Sequence, residues 1–141
     1  MSLYLIDTTV LAAGLFRRPA AVERLEPWIG QREAATSILV YGEIAEYLRA
    51  FPDMPRRQAE LRDLLREVRP YFLTYSIMER YAVVRRALRT PHGPGLFGDI
   101  DTLIAATDLE RNLTLVTSDS DFERVPGLAV ILIPRRSLEL R

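Results

Sequence analysis

Cysteine is missing from all 141 residues. Disulfides, thiolate nucleophiles and cysteine-ligated metal sites are therefore excluded. Lysine is missing as well: the 19 basic side chains are all arginine. Schiff-base chemistry is ruled out, and so is a Walker phosphate loop, which needs a lysine to reach the phosphates. The single histidine, His92, cannot build a multi-histidine metal site. No apolar run approaches the ~18 residues of a membrane span. The opening segment Met1 to Asp7 has neither a basic leader nor a long apolar stretch, which predicts a cytoplasmic protein. Carboxylates, hydroxyls and arginine remain to do chemistry.

What is present has ordinary globular composition, 48% hydrophobic and 27% charged, with 19 acids against 19 arginines. The length predicts a single domain over 1–141. Leu3 to Ile6 is a short apolar run ending in Asp7-Thr8-Thr9, as a buried strand would. Helices are expected over Val10–Phe16, from Pro19 to Trp28 with Gly30 as a stop, and over Ile38–Phe51. A further helix carries Leu61, Leu64, Leu65 and Val68 after an Asp53 cap. Glu33–Ser37 and Tyr71–Tyr75 have strand character. Ser76 and Glu79 form a capping-box signature for a helix carrying Ile77, Tyr81, Val84 and Leu88. Thr90–Gly98 is a Gly/Pro loop that leaves His92 solvated. A helix over Ile100–Asn112, a strand over Leu113–Thr117, a turn over Ser118–Asp121 and a strand over Ala129–Ile133 complete the chain. Alternation of strand and helix predicts an α/β fold around a mostly parallel sheet.

In such sheets ligands sit beyond the carboxyl ends of the strands. Asp7 follows the first strand, where it either caps the next helix or faces a cleft. Glu43 lies at the edge of the apolar stripe of its helix, and Glu46 points further out. Asp99 is placed as the cap of the helix that Asp101 enters in its first turn, a position the helix dipole favours for an acid. Asp119 and Asp121 follow the fourth strand in an Asp/Ser turn. Gathered in one cleft, these acids would repel unless a cation held them. Oxygen-only ligands select Mg2+ or Mn2+, and such ions serve phosphodiester hydrolysis. Asp99-Ile100-Asp101-Thr102 superficially matches a haloacid-dehalogenase signature, but it lacks the preceding apolar strand and the chain lacks that family's lysine. A receiver domain needs a lysine too.

These residues resemble a known family. Leu5-Ile6-Asp7-Thr8-Thr9-Val10, Thr36-Ser37 with Tyr41-Gly42-Glu43-Ile44, Asp101-Thr102-Leu103-Ile104-Ala105-Ala106-Thr107, and Leu115 to Leu128 are similar, in order and spacing, to the motifs of PIN-domain ribonucleases. The likeness is to VapC-type toxins of type II toxin–antitoxin pairs. The stretch from about Asp53 to Pro94 matches only in its helical pattern. The resemblance implies a three-layer α/β/α sandwich with a central sheet of four to five strands. It implies a Mg2+ (or Mn2+) site of Asp7, Asp101, Glu43 and Asp119, with Asp121 as the alternative fourth acid. Thr8, Ser37 and Thr117 would supply orienting hydroxyls. Metal-activated water would cut RNA, tRNA or rRNA, leaving a 5′-phosphate and a 3′-hydroxyl. The protein would be a homodimer inhibited by a cognate antitoxin whose C-terminal segment fills the cleft. Two other readings stand beside it: a PIN-like module that binds RNA or protein without cutting, its cleft spoiled for metal by arginines, and a metal-dependent phosphatase of small molecules. RNA contact would fall to arginine, whose planar fork suits phosphate; Arg85, Arg86 and Arg89, Arg17-Arg18 and Arg135-Arg136 are the basic groups. Acids neutralised by metal leave the remaining surface net basic.

Overall fold

The computed structural model describes residues 1–139. Five parallel strands form one sheet in the order β3-β2-β1-β4-β5. They are β1 (Tyr4–Ile6), β2 (Ala34–Ser37), β3 (Arg69–Tyr71), β4 (Thr114–Thr117) and β5 (Ala129–Leu132). Leu5 pairs with Ala35 on one side and Leu115 on the other, so β1 is the centre of the sheet. Leu5, Ile6, Leu115 and Val116 are fully buried, as inner strands covered on both faces require.

Six helices are described: α1 (Thr8–Leu15), α2 (Pro19–Gly30), α3 (Ile38–Leu48), α4 (Met54–Glu67), α5 (Tyr75–Leu88) and α6 (Asp99–Arg111). Right-handed crossovers from β1 through β2 to β3 put α1–α4 on one face. The chain then steps across the sheet to β4, which sends α5 and α6 to the other face. Accordingly α1 packs with α2, α3 and α4, whereas α5 packs with α6. Among the described residues no helix is long and apolar enough to cross a membrane.

Local chemistry sets the ends of these helices. Pro19 begins α2, where its missing N–H costs nothing. The Ser37 hydroxyl accepts from the Leu39 N–H at 3.1 Å and starts α3. Asn112 closes α6 in the left-handed conformation.

Four expectations need correction. The strand expected over Tyr71–Tyr75 is Arg69–Tyr71, because its partner β2 gives way to α3 after Ser37, which lies opposite Tyr71. Pro70 is tolerated there because β3 is an edge strand. The cap of α5 is Thr74, not Ser76: the Thr74 hydroxyl accepts from the Ile77 N–H at 3.2 Å. Gly98, not Asp99, occupies the cap position of α6, and Asp99 is its first helical residue. The helix expected to reach Phe51 ends at Leu48.

Candidate active site

The strand order reverses between β1 and β4, and a crevice opens at the carboxyl ends of such a pair. Asp7 leaves β1 there, with its N–H donating to the Val116 carbonyl at 2.9 Å. It occupies the cap position of α1, yet its side chain makes no cap hydrogen bond. Instead Oδ2 accepts from the Thr117 hydroxyl at 2.6 Å, and Oδ1 is buried with no hydrogen-bond partner. Only 4% of Asp7 is exposed. Burial pushes its pKa up, Thr117 opposes the rise, and the charges of Glu43 and Asp119 add to it.

The same Thr117 oxygen accepts from the Asp119 N–H at 3.1 Å. One hydroxyl therefore ties the acid after β1 to the acid after β4. Asp119 Oδ1 in turn accepts from the Asp121 N–H at 2.9 Å and starts the 3-10 turn over Ser120–Arg124. Asp121 itself pairs with Arg124 at 3.2 Å.

Glu43 is brought in by α3, where Thr8 at the start of α1 donates to its Oε1 at 2.5 Å. Glu46 is exposed, as its helical position implies. Asp101 sits in the first turn of α6. Its carboxyl is pushed up to about 7, first by burial and then by the charges of Asp7, Glu43, Asp119 and Asp121. The charges of Asp7, Glu43, Asp119 and Asp121 therefore all act on Asp101, whereas Asp99 pairs with Arg85 at 2.8 Å.

Ser37 caps α3 by accepting from the Leu39 N–H, and among the described residues its hydroxyl makes no hydrogen bond to a candidate acid. Its neighbour Thr36 does work that the sequence did not reveal: its buried hydroxyl donates to the Ile6 carbonyl at 2.7 Å and locks β2 to the end of β1. Thr102 was also overlooked; it donates to the Gly98 carbonyl at 2.8 Å and braces the turn that carries Asp101. The signal for both was a threonine adjacent to a site residue at an element boundary.

Arg85 is already engaged, 2.8 Å from Asp99 and 3.1 Å from the Tyr81 hydroxyl, whereas Arg86 and Arg89 are exposed. Among the described residues no arginine forms an ion pair with Asp7, Glu43, Asp101 or Asp119. Nor are any three acidic or histidine side chains grouped tightly enough to hold an ion as they stand. The donor chemistry nevertheless fits a hard cation: every candidate atom is a carboxylate oxygen, and Asp7 Oδ1 is buried without a partner.

The PIN domain pattern matches residues 4–128. The chain belongs to the PIN-domain family. No curated protein sequence matches it significantly. Solved structures share the PIN fold over nearly the whole chain. VapBC2 from Rickettsia felis, bound to a DNA fragment from its promoter, aligns with a TM-score of 0.81 at 22% identity, covering 93% of this chain and 98% of that one. DNA-bound VapBC from Salmonella typhimurium aligns with a TM-score of 0.81 at 19% identity, over 93% and 98% of the two chains. FitAcB from Neisseria gonorrhoeae gives 0.73 at 21% identity, over 92% and 96%. The haloacid-dehalogenase alternative falls with this PIN architecture, since Asp99 to Thr102 open a helix and do not end a strand.

Proposed function

We propose that this PIN-domain protein is the toxin of a VapC-type toxin–antitoxin pair and acts as a metal-dependent endoribonuclease. One observation carries the reading: carboxylates from four separate parts of the chain act on one another's charge at the sheet's switch point, with no arginine paired to Asp7, Glu43, Asp101 or Asp119 among the described residues. Like charges held together in this way suit a site that takes up a cation. The absence of paired arginines there also speaks against a non-cleaving cleft.

Asp7 and Asp101 would hold Mg2+ or Mn2+, with Glu43 and Asp119 completing the set directly or through water. When bound, the ion supplies an acidified water and neutralises charge on phosphoryl oxygens. Thr117 fixes one Asp7 oxygen and leaves the other free. Thr8 does the same for Glu43. Asp119 is the better fourth acid, because its charge bears on both Asp7 and Asp101, whereas that of Asp121 bears on Asp101 alone and is partly met by Arg124. RNA such as tRNA or rRNA is the substrate in this reading, and exposed arginines supply salt-sensitive phosphate contacts. A cognate antitoxin is the expected partner, supported by likeness to the VapBC structures, and a homodimer is expected from the resemblance to VapC-type toxins.

The test is cleavage of total tRNA and rRNA by purified protein with Mg2+ or Mn2+, with the RNA ends mapped. Asp7→Asn and Asp101→Asn should abolish cutting. Equal cutting by both variants would remove the site, and cleavage of a small phosphomonoester without RNA cleavage would make the protein a phosphatase.

A further inference from the structure

One turn along α3 from Glu43, the side chain of Tyr47 leaves the carboxylate site and enters a different environment. Positions i and i+4 share a helix face, with a rise of ~6 Å between them. Tyr47 meets Phe16 edge-on with ring centroids 6.2 Å apart, and Phe51 at 5.4 Å. Phe16 and Phe51 stack on each other at 5.6 Å. The Arg57 guanidinium lies 4.9 Å from the Phe16 ring centre and 5.5 Å from that of Phe51. Arg57, on α4, also stands 3.3 Å from Asp53 at the start of that helix. Arg18, which follows the left-handed Arg17 at the turn from α1 to α2, closes the pocket and forms no ion pair among the described residues. The cavity these five residues line holds about 320 Å3.

A tyrosine in a packed aromatic group is ordinarily buried. Tyr47 is 55% exposed. Its contacts with Phe16 and Phe51 are both edge-to-face, so neither is a parallel stack. An open aromatic beside an unpaired arginine matches the two halves of a nucleotide, a flat base and a phosphate. Tyr47 lies one helical turn from Glu43, and Phe16 closes the far end of α1 from Asp7, about 13 Å away by helical rise, so the pocket suits a nucleotide a few positions from the one that is cut.

We propose that Tyr47 and Arg18 form a subsite for a single-stranded nucleotide of the RNA substrate, the base stacking on Tyr47 and the phosphate meeting Arg18. This rests on the ribonuclease reading above. Arg57 is a positioning residue that holds the aromatic platform. Such a subsite makes the enzyme prefer unpaired RNA near the cut, because a base within a duplex has no free face to stack.

The experiment measures cleavage of total tRNA and rRNA by wild type, Tyr47→Ala, Tyr47→Phe and Arg18→Ala, with RNA binding followed separately on the Asp101→Asn background. Loss of one base stack should weaken RNA binding about 5- to 150-fold. The loss should fall on KM more than on kcat, and Tyr47→Phe should restore it. Arg18→Ala should lower the salt dependence of binding by about one phosphate contact. Thermal melting should match wild type, since Tyr47 is more than half exposed. Unchanged RNA affinity in Tyr47→Ala overturns the subsite while leaving the nuclease reading intact. Loss of antitoxin affinity with an unchanged KM for RNA also overturns it and assigns the surface to a protein. Failure of the wild type itself to cut RNA defeats both readings before any variant is compared.

Discussion

Thr117 and Asp7 are 110 residues apart in the chain, yet the threonine hydroxyl donates to Asp7 Oδ2 at 2.6 Å, buried at the carboxyl edge of the sheet. The bond exists because β1 and β4 are parallel neighbours whose carboxyl ends finish side by side. It also opposes the effect of burial on Asp7, lowering a pKa that is otherwise raised. Thr117→Val keeps the shape and deletes the hydroxyl, leaving a second buried carboxylate oxygen unpartnered, a cost of roughly 1–3 kcal/mol. RNA cleavage at neutral pH should fall about tenfold or more. The acid limb of the pH–rate profile should move to higher pH, since Asp7 then holds its proton more tightly. A profile unchanged in position would show that the bond does not tune Asp7.

Asp119 and Asp121 are separated by the same turn that joins them. Asp119→Asn should cost at least tenfold in cleavage, while Asp121→Asn should cost only a few-fold, because Asp121 is turned to Arg124. Steady-state rates of the two variants at saturating Mn2+ check the order. The reverse order would make Asp121 the fourth acid.

Asp101 offers a measurement without RNA. Its carboxyl is raised to about 7 from an ordinary 3.8, so the folded protein keeps a proton that the unfolded chain releases. Stability is therefore present in full below about pH 4, falls as pH climbs towards 7, and levels off beyond. Asp101→Asn removes this dependence and should make the metal-free protein more stable than wild type at pH 8. Added Mn2+ should raise the melting temperature of wild type and leave that of the variant nearly unchanged. Calorimetric scans across pH, with and without the ion, read both effects.

Asp108 obeys the same sign for a different reason. It lies two turns further along α6, is 1% exposed, and neither carboxylate oxygen has a hydrogen-bond partner. Burial alone pushes it to about 7. The gap from 3.8 to about 7 sets an upper bound on the order of 4 kcal/mol for the stability lost between pH 4 and 7. Asp108→Asn should recover part of that at pH 8 and nothing at pH 4, with Mn2+ binding unaltered. Denaturant midpoints at the two pH values decide it.

The start of α5 separates two hydroxyls that stand 3.1 Å apart. Thr74→Ala should cost about 1 kcal/mol of stability through loss of the cap, and Ser76→Ala only a few tenths. Equal losses would return the cap to Ser76.

The order of elements was legible in the sequence because apolar periodicity follows directly from which faces are buried. Leu3 to Ile6, the apolar stretch Leu103 to Ala106 and the strand ending at Thr117 needed no tertiary information. Ends of elements were less legible. The last strand residue opposite β2 depends on where β2 itself stops, and nothing in Tyr71 to Tyr75 records that Ser37 begins a helix. The cap of α5 turned on backbone conformation, since Thr74 is extended while Ser76 already lies inside the helix. Asp108 passed unnoticed because a charged residue inside a helix normally faces water, and only the tertiary structure buries it.

By itself, then, the sequence determined the chemistry: with no cysteine, no lysine and one histidine, carboxylates were the only groups left to bind a cation, and their places after apolar runs marked them for the sheet's carboxyl edge. Tertiary structure alone decided which hydroxyls serve them. Ser37 and Thr117 are alike as residues, but Ser37 adjoins an unsatisfied helix terminus and is drawn into capping it, while Thr117 ends a strand beside β1 and finds Asp7. A hydroxyl takes the nearest unmet partner, and which partner is nearest is fixed by strand order, not by spacing along the chain.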